Sequence, residues 1–136
     1  MAVKVLDSWA LIAFFENEPA AAQVESLLVK AEAGTHKLLL CVVNWGEIYY
    51  NTMREVSQEA AEQTAKEMAG LRIEIVGVDD KNLELVRQAA IYKATRRMSY
   101  ADAFAAALAK IRNAELVTGD REFKEVEDEI KIGWLR

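Results

Sequence analysis

Six consecutive residues, Leu38-Leu39-Leu40-Cys41-Val42-Val43, carry no polar side chain. A run of that length reads as a strand, and a strand apolar on both sides has to be covered on both faces. This excludes a sheet with one face in water and calls for helices above and below. The rest of the chain supplies them. Val3 to Leu6 reads as a first strand ending at Asp7. Trp9 to Phe15 is apolar nearly all round and reads as a short buried helix capped by Asp7 or Ser8. Pro19 suits the first position of a second helix that runs to about Ala33, with Ala21, Val24, Leu27 and Leu28 inward and Gly34 ending it.

Beyond the apolar run, Asn44 is expected to cap a helix carrying Glu47, Ile48, Tyr49 and Met53. Ser57 restarts helix through Ala69, and Ile73 to Val76 reads as an edge strand. Asp79 is expected to cap a helix that turns Leu83, Val86, Ala90 and Ile91 inward and ends near Thr95. Ser99 caps an alanine-rich helix in which Phe104, Leu108 and Ile111 form the buried stripe. The small alanines around them permit close approach to a flat sheet. Asn113 suits a left-handed helix end. Leu116-Val117 is a minimal buried strand, Thr118-Gly119-Asp120 is the turn leaving it, and Ile130 to Ile132 is a last edge strand. Strands alternating with amphipathic helices predict an α/β chain, a three-layer α/β/α sandwich with a mainly parallel central sheet. With right-handed crossovers the carboxyl ends of all strands share one edge, where ligands of such folds sit.

The 136 residues suit one domain, 1–136. A net charge of −5 argues against wrapping duplex DNA over a wide surface but leaves room for a local nucleic-acid site. Cys41 is the only cysteine, so no intrachain disulfide forms. No apolar stretch is long enough to span a bilayer, and Lys4 and Asp7 interrupt the first apolar segment, so neither a membrane protein nor a signal peptide is expected. The expected location is the cytoplasm.

Four acids carry the chemistry. Asp7 follows the first strand, Glu47 opens the helix after the second, Asp102 opens the alanine-rich helix, and Asp120 follows the late strand. Each has a plain structural reading. Asp7 and Asp120 suit helix caps, while Asn44-Trp45-Gly46-Glu47 and Ser99-Tyr100-Ala101-Asp102 fit capping boxes. In a parallel sheet, however, Asp7, Glu47 and Asp120 share one edge, and carboxylates that crowd need a cation. A set of hard oxygens without histidine or thiolate favours Mg²⁺ or Mn²⁺. The chemistry this suits is attack of a metal-activated water on a phosphodiester. His36 is the only histidine and sits in a polar stretch, so a two-imidazole scheme is excluded. No P-loop or dinucleotide fingerprint is present. The run Glu125 to Glu129 reads as a solvated face. Arg96 and Arg97 just before the Asp102 helix suit contact with a nucleic-acid backbone.

Val5-Leu6-Asp7-Ser8, Asn44-Trp45-Gly46-Glu47, Ser99-Tyr100-Ala101-Asp102-Ala103 and Val117-Thr118-Gly119-Asp120, in that order and spacing, resemble a PIN domain, most of all the VapC-type toxin ribonucleases of toxin–antitoxin modules. The resemblance implies an α/β/α fold and a Mg²⁺- or Mn²⁺-dependent endoribonuclease. It implies Asp7, Glu47, Asp102 and Asp120 as catalytic acids, with Asp7, Asp102 and Asp120 as metal ligands. Ser8, Thr118, Arg96 and Arg97 are the expected substrate contacts. An RNA substrate, a cognate antitoxin and a homodimer are the expected partners. The chain departs from the pattern at Trp9, where the family often carries a small polar residue. Two other readings stay open: a catalytically silent protein-binding module whose acids are helix caps, and a phosphatase-like or receiver-like domain built on Asp7. The second leaves Glu47 unexplained.

Overall fold

The computed structural model describes residues Met1–Arg136 throughout. Five strands, β1 (Ala2–Leu6), β2 (His36–Cys41), β3 (Ile73–Val76), β4 (Glu115–Thr118) and β5 (Ile132–Trp134), form one sheet in the order β3-β2-β1-β4-β5. All four pairings are parallel. Six helices connect or flank them: α1 (Ser8–Phe15), α2 (Ala21–Glu32), α3 (Val42–Glu55), α4 (Gln58–Ala69), α5 (Leu83–Thr95) and α6 (Tyr100–Ile111). A short 3₁₀ stretch, Arg121–Val126, follows β4.

The apolar strands feed two cores, one per face. Val5, Leu39, Cys41 and Leu116 point into the core shared with α5 and α6, while Leu6, Leu38, Leu40 and Val117 point into the one shared with α1, α2 and α3. This alternation within continuous apolar runs is the period-2 pleat of a sheet covered on both sides, and it bears out the three-layer architecture.

Helix α6 lies close against the central strands because its face is built from alanine. Ala103, Ala105, Ala106, Ala107 and Ala109 are all buried, with Phe104 and Leu108 filling the flanks. Ser99 caps it as expected, accepting from the Asp102 N–H at 3.1 Å. Asn113 has φ +50, the left-handed end expected of it.

Several local expectations shift. The apolar run is strand only to Cys41, where pairing with β1 stops at Leu6–Leu40, and Val42 already belongs to α3. Asn44 is therefore not a cap but lies in the first turn of α3, and the extended residue before that helix is Cys41, with no side-chain cap. Asp79 instead closes a turn, accepting from the N–H groups of Lys81 and Asn82. Helix α5 begins after it and turns Leu85, Ala89 and Tyr92 inward, leaving Leu83 and Ile91 exposed. His36 starts β2, Pro19 precedes α2 by a turn, and the last strand lies two residues later than expected. The acidic run is not merely solvated. Arg96 donates to Asp128 and Glu129, and the Arg97 N–H donates to Glu125.

Because the alanine face sets how closely α6 docks, Ala105→Leu is expected to lower stability by roughly 1–3 kcal/mol through overpacking, read by urea denaturation.

Candidate active site

Asp7 and Asp120 lie at strand ends of the sheet, while Glu47 lies within α3 and Asp102 in the first turn of α6. Asp7 follows β1 directly and is the N-cap of α1, its Oδ1 accepting from the Ala10 N–H at 2.9 Å. Its Oδ2 accepts from the buried Thr118 hydroxyl at 2.5 Å. That hydroxyl in turn accepts from the Asp120 N–H at 3.0 Å. Two neighbouring strand ends are thus tied through one side chain. Asp120 opens the 3₁₀ stretch, its Oδ1 accepting from the Glu122 N–H at 2.9 Å.

Glu47 is held from two sides through a single oxygen. Ser8 Oγ donates to its Oε1 at 3.0 Å and Asn44 Nδ2 donates to the same oxygen at 2.9 Å. Asn44 Nδ2 also donates to the Ala101 carbonyl at 3.1 Å, joining α3 to the turn that carries Asp102. Asn44 is wholly buried and its Oδ1 has no partner.

Asp102 completes the group. Single carboxylate oxygens of Asp102, Asp120 and Glu122 lie within 4.8 Å of one another. Asp7 and Glu47 stand outside that triad yet act on it electrically: both raise Asp102, and Glu47 and Asp120 raise Asp7. Burial is the first cause for each acid. It lifts Asp7 to about 7 against the pull of Thr118 and the Ala10 N–H, and it lifts Asp102 well above the ordinary carboxylate range, with the charges of Asp120 and Glu47 adding to it.

No ion pair reaches Asp7, Glu47, Asp102, Asp120 or Glu122. The donors are hard oxygens with no counter-charge from the protein, a set suited to Mg²⁺ or Mn²⁺.

The expected substrate contacts are differently placed. The Thr118 hydroxyl is buried between Asp7 and Asp120, where it orients those acids. Ser8 is buried and faces Glu47. Arg96 is drawn into the acidic segment after the 3₁₀ stretch, whereas the Arg97 side chain is exposed. Glu122 escaped the sequence reading. The signal was available: an acid in the first turn after a strand end already marked by Asp120. As an expected cap, Asn44 gives no sign in the sequence of its bridge from Glu47 to the Ala101 carbonyl.

The protein is a parallel α/β/α sandwich with a group of unpaired acids beside its strand ends. The chain belongs to the PIN domain family, whose model matches residues 4–129. Solved structures share the fold at low identity. VapBC2 from Rickettsia felis, bound to a promoter DNA fragment, superposes with TM-score 0.73 at 15% identity, covering 98% of this chain and 99% of that one. VapBC-1 from nontypeable Haemophilus influenzae gives 0.69 at 20%, covering 97% of each. VapC20 from Mycobacterium tuberculosis, a toxin that cleaves the sarcin–ricin loop, gives 0.69 at 15%, covering 89% of this chain and 92% of that one. No curated protein sequence matches.

The raised acids set a pH dependence. Asp7 ionises near 3.8 when exposed and near 7 when folded, so the folded state binds the proton more tightly. Its contribution is complete below about pH 3.8 and fades as pH rises to about 7. In EDTA, stability is expected to fall across that window by up to about 4 kcal/mol. Asp7→Asn, which still accepts from Ala10, should flatten much of the fall and unfold at higher urea than wild type at pH 8. Urea titrations at pH 5 and pH 8 measure both effects.

Proposed function

We propose that this chain, one PIN domain over residues 1–136, is a Mg²⁺- or Mn²⁺-dependent endoribonuclease and the toxin of a type II toxin–antitoxin module. The observation that carries the reading is the set of five carboxylates at one sheet edge with no cationic partner. Family membership and the fold shared with VapBC proteins and the VapC20 toxin support it.

Asp7, Asp102 and Asp120 are the residues that would hold the ion, with Glu122 beside Asp102 and Asp120. When bound, the ion supplies neutralising charge for the phosphate oxygens and lowers the pKa of a water. The protein's own groups do the rest. Thr118 fixes Asp7 and the Asp120 backbone against each other, so these acids stay in place without a bound cation. Glu47 has one oxygen occupied by Ser8 and Asn44, leaving Oε2 to accept a proton from the attacking water. The water attacks an RNA phosphorus in line, and the P–O3′ bond breaks as the 3′ oxygen leaves and takes up a proton from solvent. The RNA 2′-hydroxyl takes no part, so the ends are 5′-phosphate and 3′-hydroxyl.

Helix capping alone accounts for less. Asp7 and Asp120 do cap, but Glu47 is turned to Ser8 and Asn44, and the Asp102 carboxylate accepts no backbone N–H. Glu47 would still join α1 to α3 in a silent module, but Asp102, crowded by Asp120 and Glu122 and bonded to no backbone N–H, would have no use there.

A cognate antitoxin and a second copy are the proposed partners. Tyr50, Met53 and Val56 near the end of α3 are exposed apolar surface of the kind partners cover. No helix is long and apolar enough to cross a membrane, and the proposed location is the cytoplasm.

The test is RNA cleavage with Mn²⁺ and with EDTA, with the product ends mapped. Asp102→Asn is expected to lose roughly 10²-fold or more of activity while keeping its circular dichroism spectrum, because Ser99 still caps α6. Cleavage that persists in EDTA, or yields a 2′,3′-cyclic phosphate, overturns the reading.

A further inference from the structure

Six glycines occur in the chain. At Gly119 alone, an added Cβ would run into an aromatic ring: it would stand 2.3 Å from Cη2 of Trp9, 2.5 Å from Cζ3 and 2.6 Å from Cζ2. Ordinary contact begins at 3.4 Å, so the shortfall is about 1 Å. Gly119 does not have positive φ, so its backbone conformation does not by itself call for a glycine. The benzo edge of Trp9 is therefore the local reason for a glycine here.

The two residues belong to the two segments that carry acids. Trp9 is the second residue of α1, two after Asp7 and one after the Ser8 that holds Glu47. Gly119 lies between Thr118, bonded to Asp7, and Asp120. The loop is otherwise pinned from its β4 side, where the Leu135 N–H donates to the Thr118 carbonyl at 2.8 Å and the Asp120 N–H donates to the Thr118 hydroxyl. Trp9 is only partly exposed and packs on the core under α1, so its ring has little freedom to swing away.

We propose that Trp9 and Gly119 form a steric lock that sets the position of Asp120 relative to Asp7, making Trp9 a positioning residue of the site. The consequence for ion binding rests on the reading of Asp120 as a ligand; the lock itself does not. A rigid plate resting on a bare Cα fixes the loop's height above α1 without using a polar group. A ligand set tolerates displacements of only about 0.5 Å, so the shift that a Cβ would force falls outside that range.

A double-mutant cycle tests this, with Mn²⁺ binding measured by calorimetry on variants whose fold is checked by circular dichroism. Gly119→Ala alone is expected to weaken Mn²⁺ binding roughly tenfold or more, the scale of disturbed positioning groups. In a Trp9→Leu background, where the ring is gone, the same change should have less than about a twofold effect. An equal effect in both backgrounds, or none in the presence of Trp9, overturns the lock. A second measurement needs no metal. Exchange of the Asp120 amide hydrogen, followed by nuclear magnetic resonance, should quicken roughly tenfold in Trp9→Leu as the loop loosens; an unchanged rate overturns the proposal even if Gly119→Ala fails to fold. Absence of Mn²⁺ binding by the wild type would count against the metal-site reading, and the exchange rate would still decide the lock.

Discussion

Asp7 sits where the structure is most constrained. It is buried, its two oxygens are occupied by the Ala10 N–H and the Thr118 hydroxyl, and burial together with the neighbouring charges of Asp120 and Glu47 lifts its pKa. A carboxylate in that position disfavours its own ionised form and, without a counter-ion, the fold around it. The protein places Asp102, Asp120 and Glu122 within reach of one another at the same edge and supplies no base. A divalent cation would relieve a conformation strained by like charges, so under the proposed reading stability and metal binding are opposite sides of one arrangement.

The scaffold is organised to hold that edge. Parallel pairing from β3 to β5 aligns the strand ends, and the two cores grip the sheet from both faces. The alanine face of α6 brings its N-terminus, with Asp102, down to the sheet. Cross-links then run between elements rather than within them. Thr118 ties β4 to β1, Ser8 ties α1 to α3, and Asn44 ties α3 to α6. Each has a partner near an acid, so the groups that orient the site also join the elements that carry it.

The architecture was legible because it rests on patterns. A continuous apolar run demanded a sheet covered on both faces, and alternating segments demanded parallel strands. Asp7 and Asp120 stand out through their places after strands and Asp102 through its place at a helix start, while Glu47, expected to open α3, lies in its second turn. What the sequence concealed depends on tertiary pairing. β2 ends at Cys41, one residue past its last pairing with β1, so Val42 and Val43 pass from strand to helix despite their β-branched side chains, and Asn44 moves from cap to bridge. The inward face of α5 differs from the expected one, keeping only Val86 partly buried, because Leu85, Ala89 and Tyr92 compete with Leu83, Ala90 and Ile91 on similar hydrophobic terms, and only docking against α6 decides between them. Arg96 looked free for a phosphate until the acidic segment folded back on it. Glu122 was hidden by the neighbouring Asp120, which satisfied the local reading by itself.

The central claim is that the acids at this edge form one divalent-cation site. Diffraction from crystals grown with Mn²⁺, collected at the manganese absorption edge, tests it most directly. The account predicts the strongest anomalous peak among the carboxylates of Asp7, Asp102 and Asp120. No peak there at saturating Mn²⁺, or peaks confined to other parts of the surface, would contradict it.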